Sequence, residues 1–147
     1  MVSLPERLPP FPNRAPDLDE DFSDGLSTQW WIPHYLPHWT TPDRSEARYR
    51  LIPDGVELRI EVDQLCWRPE DAPLRVSNLQ TGTYSGRVGS QRGTHRHRDD
   101  GLHVRTETPQ QLLFAPSRGR VDLTIAASRD DGCMLAHSTR ASDTPGR

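Results

Sequence analysis

Lysine is missing from the 147 residues, so all 18 basic side chains are arginine. Arginine can use GC-rich codons and lysine cannot. With only four isoleucines and two asparagines, the bias points to a GC-rich genome and not to a function. Long apolar runs are lacking too. No stretch approaches the roughly eighteen apolar residues of a membrane span. The opening "MVSLPERLPPFPNRAPDLDEDF" has no uninterrupted apolar core of the kind that directs export. The expectation is a chain that stays off the membrane and, as written, in the cytoplasm. Cysteine is scarce: Cys66 and Cys133 lie 67 positions apart (133 less 66), which fits neither a zinc knuckle nor a disulfide framework and leaves two reduced thiols. Charge of one sign is not concentrated anywhere. A net charge of -3 with interspersed signs provides no basic stripe for a phosphate backbone and no acidic tail, so nucleic acid is not expected as a partner. A Gly-rich phosphate loop, a Gly-x-Ser-x-Gly elbow and a Cys/His nucleophile arrangement are also absent, and no cofactor is expected.

What is present reads as β structure. Residues 1–16 carry five prolines and no periodic pattern, which predicts an irregular leader. From there the hydrophobic period is two. In "EARYRLI", Ala47, Tyr49 and Leu51 alternate with Glu46, Arg48 and Arg50. After the turn signal Pro53-Asp54-Gly55, Val56, Leu58, Ile60 and Val62 alternate with Glu57, Arg59, Glu61 and Asp63. This predicts a hairpin with one face in a core. The alternation returns at Leu102, Val104 and Thr106, opposite His103 and Arg105, and again at Val121, Leu123 and Ile125. No segment reads as an amphipathic helix. The fold class implied is all-β: an antiparallel sandwich or barrel in which each sheet buries one face. "GCMLA" at 132–136 opens another apolar strand, after which the signal stops, so residues 137–147 are expected to be a disordered or frame-shifted tail and the sandwich to be incomplete.

Three groups of residues are candidates for chemistry. "GTHRHRDDGLHV" at 93–104 places His95, His97 and His103 within nine positions. His95 and His97 project to one side of an extended segment, as two metal ligands would, but Arg92, Arg96 and Arg98 beside them disfavour a divalent cation. The rim of a ligand cleft is the preferred reading, and no metal is expected. Glu57, Glu61 and Asp63 form a carboxylate row. Arg59 shares that row, and an amphipathic strand must expose something polar, so a solvated face is preferred over a catalytic pair. The four tryptophans are dense for a polar chain. Trp30 or Trp31 is expected in the core, whereas Trp39 and Trp67, beside prolines or charges, are candidates to stack on a sugar ring.

The order of these pieces carries a resemblance. "DEDFSDGLSTQWW", "ARYRLIPDGVELRIEVD", "VSNLQTGTYSG" and "PSRGRVDLTIAASRDDGCMLA" together resemble the amino-terminal part of glycoside hydrolase family 16, over residues 17–136. The resemblance implies a concanavalin A-like β-jelly roll and a protein of carbohydrate metabolism that hydrolyses glycosyl bonds in β-linked polysaccharides. The family's catalytic signature is Glu-x-Asp-x-x-Glu on a later strand, with nucleophile and acid/base on one face. This chain does not contain it. "EVDQLC" at 61–66 starts like the signature but ends in Cys66, in the early hairpin, so no catalytic role falls on Glu61 or Asp63. The expectation is an inactive, truncated hydrolase-like fragment or, alternatively, a non-catalytic carbohydrate-binding β-sandwich. In either case a polysaccharide or oligosaccharide partner would be held by Trp39, Trp67, Arg92, His95 and His97.

Overall fold

A computed structural model describes residues 14–138. The leader over residues 1–13 and the tail beyond residue 138 lie outside them. The chain divides into two units, Asp21–Ala115 and a second made of Met1–Glu20 with Pro116–Arg147.

The first unit has little helix and two small antiparallel sheets. The predicted hairpin is present. Strand β1 (Arg48–Ile52) pairs with β2 (Gly55–Arg59), and Ile52 opposite Gly55 leaves Pro53 and Asp54 as a two-residue loop. Proline sets the first loop residue, and Asp54 takes the left-handed conformation at φ 65°, which aspartate tolerates better than most side chains. The charged face of the hairpin is laced by ion pairs. Arg50 binds Glu57, Arg59 binds Glu57 and Glu61, and Arg48 binds Glu61 and Asp63. The carboxylate row is thus a solvated, arginine-neutralised face.

The apolar face of the hairpin departs from expectation. Leu58 is 40% exposed, Ile60 47% and Val62 97%, because among the described residues no second sheet lies over them. The second sheet pairs β3 (Gly82–Thr83) with β4 (Gln111–Leu112) in a different part of the unit.

The core is built instead from irregular segments. Leu36, Trp39, Trp67, Leu102 and Val104 form one buried cluster, with Tyr35 and Val76 packed against it. Leu102 and Val104 are buried while His103 between them is exposed, as the alternation predicts, although the segment joins no regular sheet. Backbone bonds such as Val104 N–H to the Ser90 carbonyl (2.8 Å) and Gly89 N–H to the Val104 carbonyl (2.8 Å) satisfy it locally.

In the second unit, Val121, Leu123 and Ile125 are exposed, and no strand forms over 119–126. The predicted strand finds no ladder partner among the described residues, and alternation without a paired edge does not hold a strand. The structure therefore supports a mostly-β, antiparallel character. No helix among the described residues is long and apolar enough to cross a membrane.

Candidate functional site

Two regions of the Asp21–Ala115 unit hold the residues of interest. The first is the histidine segment. Trp39 is 0% and Trp67 1% exposed, so both indoles lie in the core and neither offers a face to a sugar, which corrects the expectation for these two residues. Their large apolar area is satisfied by packing and their N–H groups by carbonyls. Trp39 Nε1 donates to the Thr94 carbonyl at 3.1 Å, and Trp67 Nε1 to the Tyr35 carbonyl at 2.9 Å. Trp30 and Trp31, one of which was expected in the core, are only half-buried.

Of the two expected histidines of this segment, His95 is half-buried and His97 exposed. The His97 ring sits 5.7 Å from that of Trp67, and the His95 ring 5.4 Å from that of His97. Among the described residues no group of three or more His, Cys, Asp or Glu converges to hold a metal. Arg92 is exposed, and its carbonyl accepts from Gly86 N–H at 2.8 Å. The segment is fastened by charge. Arg68, buried, donates from Nη2 to the Gly101 carbonyl at 2.7 Å. Arg98 binds both oxygens of Asp71 at 2.8 and 2.9 Å, and Arg105 is bidentate on Glu70 at 2.5 and 3.2 Å. The Arg105 guanidinium lowers the Glu70 pKa to about 2.

As with His34, sequence reasoning missed His38. Its ring is fully buried beside Trp39, and Nε2 lies 2.9 Å from the Thr94 carbonyl. A carbonyl only accepts, so Nε2 carries the proton and Nδ1 is bare. Nδ1 is buried without a hydrogen-bond partner among the described residues. Burial, opposed by the bond to Thr94, lowers the pKa of the ring to about 4. Gly93 makes this approach possible. A Cβ there would lie 2.5 Å from His38 Cδ2 and 3.0 Å from Trp39 Cζ2.

The second region is a shallow groove. One depression of about 200 Å³ lies among Pro37, Pro42, Thr83, Thr106, Glu107 and Thr108, and another of about 270 Å³ among Thr28, Trp31, Pro33 and Leu113. Ile32, His34 and Gln111 line both, so the two adjoin. The β3–β4 pair supplies Thr83 and Gln111, which face each other in register, and the start of helix α1 (Pro42–Ser45) supplies Pro42. The bridge from Ile32 to Gln80 ties the 31–34 segment to the same wall. Prolines, Ile32 and the half-buried Trp31 provide flat apolar surface. Hydroxyls, an imidazole, an amide and one carboxylate provide hydrogen bonds. None of the five residues expected to bind a ligand lines this groove. Its own residues are scattered over more than eighty positions and share no motif. The one local signal is the repeated Pro-His in "IPHYLPHW", which holds both His34 and His38.

No family model, curated protein or solved structure matches the chain.

Proposed function

We propose that the chain is the amino-terminal portion of a glycoside hydrolase family 16-like protein and that it holds a β-linked polysaccharide in the groove without cleaving it. The observation that carries this reading is the composition of the groove: flat apolar surface from Trp31 and the prolines, interrupted by His34, Glu107, Thr108 and Gln111. Sugar rings present C–H faces and hydroxyl edges in the same alternation. Retaining hydrolysis needs two carboxyl groups about 5 to 5.5 Å apart. Among the described lining residues Glu107 is the only carboxylate, and the Glu-x-Asp-x-x-Glu signature is not in the sequence. On this reading the exposed face of the hairpin and the alternating segment at 121–125 are the parts of a jelly-roll sandwich that a second sheet would cover.

Native affinity electrophoresis of the full chain through laminarin, lichenan and agarose tests the proposal. Retardation by at least one neutral polysaccharide, weakened in Trp31→Ala and accompanied by no release of reducing ends, is expected. A folded protein that migrates unretarded in all three would remove the reading.

A further inference from the structure

We infer that His34 and Thr83 form a hydroxyl-recognition point that makes the groove select neutral, hydroxyl-rich glycans over anionic ones, an inference that rests on the groove being a ligand site. The first support is a proton inventory. Ser45, fully buried, donates its single hydroxyl proton to the Pro42 carbonyl at 2.9 Å, since that carbonyl can only accept. The Ser45 oxygen is also 2.9 Å from His34 Nδ1, so it accepts there, and Nδ1 carries the ring proton. In the neutral ring the lone pair then belongs to Nε2. His34 lines both depressions, and the buried serine fixes which nitrogen is the acceptor.

The second support is independent. Thr83 lines the groove at 3% exposure, and its hydroxyl is buried with no hydrogen-bond partner among the described residues. The neighbouring Thr106 hydroxyl is already committed to the Thr40 carbonyl at 2.8 Å. A buried hydroxyl left unpaired is unfavourable in the free protein, and a ligand oxygen that accepts its proton removes the penalty. A sugar hydroxyl suits both groups, because it can donate to an imidazole nitrogen and a neighbouring hydroxyl oxygen can accept from a threonine.

Charge sets the class of glycan. The chain has 18 arginines, yet among the described residues none lines either depression, and the one carboxyl there is Glu107. A uronate or sulfated chain would meet a carboxylate with no guanidinium to offset it. Neutral residues meet acceptors that their hydroxyls satisfy.

The test runs the full chain and its variants through gels of laminarin, which is neutral, and polygalacturonate, which is anionic. Wild-type protein is expected to be retarded by laminarin and not by polygalacturonate. Thr83→Val should melt at the same temperature or higher, because its hydroxyl has no partner to lose, while laminarin binding weakens about three- to tenfold. A purely structural threonine would instead lower the melting temperature. His34→Asn keeps a donor at the Nδ1 position but has no atom at Nε2, and should weaken binding to a similar degree. His34→Gln, whose amide oxygen reaches the Nε2 position, should retain more. Equal retardation of wild type in both gels, or laminarin binding unchanged in both Thr83→Val and His34→Asn, overturns the inference and leaves the groove reading standing. A folded wild type retarded in neither gel, nor in lichenan or agarose, overturns the groove reading, and the inference with it.

Discussion

The β1–β2 hairpin and the Trp39/Trp67 core divide the labour of this chain in opposite ways. The hairpin is its most regular element, with five paired positions and an ion-pair face, yet Leu58 and Ile60 on its apolar side stay largely in water. The core lies in segments with almost no regular structure, and there the large side chains are buried and their polar atoms placed on carbonyls. Regular backbone pairing is a local property of alternation and turn chemistry. Stabilisation by burial needs a second surface, and the core segments find one in each other.

That contrast can be broken most directly at Trp67. Trp67→Ala removes a fully buried indole, its bond to Tyr35 and the platform under His97, and should cost about 3–5 kcal/mol in denaturant unfolding. A loss below 1 kcal/mol would mean that the core is not where the stability resides.

Acid should act on the same region. The His38 pKa is lowered from 6.5 to about 4, so between those values the unfolded chain binds the proton and the folded one does not. Stability from this group is therefore full above pH 6.5 and declines as pH falls toward 4, by about 2 kcal/mol at pH 5 and about 3 at pH 4. His38→Gln keeps a donor for Thr94 and cannot titrate, so its stability between pH 7 and 5 should be flat. A wild-type profile equally flat in that window would contradict the burial of a neutral ring. Glu70, its pKa lowered by Arg105 from 4.5 to about 2, contributes stability that is present above pH 4.5 and is lost as pH falls through about 2, below the His38 window.

A smaller effect is expected at Gly93. An added methyl meets the His38 ring, a buried group without room to yield, so Gly93→Ala should destabilise by about 1–3 kcal/mol and loosen the 93–98 segment in hydrogen exchange. The hairpin supplies the smallest effect and the sharpest control. Leu58→Thr, at a 40% exposed position, should change stability by no more than about 0.5 kcal/mol. A loss near that of Trp67→Ala would show that the apolar face of the hairpin is covered in solution.

Of the candidate site, sequence reasoning reached none of the groove's lining residues: Trp39, Trp67, Arg92, His95 and His97 lie outside it. His97 lies beside the Trp67 ring and His95 beside His97, with His97 itself exposed. His34, His38 and Thr83 were illegible, because their character comes from burial and from partners distant in sequence: Thr94 lies 56 positions from His38, and Ser45 eleven from His34. Trp39 and Trp67 were misplaced for the same reason. Prolines and charges beside them suggested exposure, whereas the indoles sit where three separate segments meet.

The sequence by itself determined the hairpin, its two-residue turn, the pairing of carboxylates with arginines across it, and the inward direction of Leu102 and Val104 on either side of His103. These follow from a period of two and from side chains a few positions apart, interactions that need no knowledge of the rest of the chain. Only the tertiary structure decided which tryptophans form the core, which histidine is buried neutral, and that Thr83 and His34 line one groove. Burial, tautomer and orphaned polar atoms depend on contacts between segments tens of residues apart, and a local pattern carries no record of them.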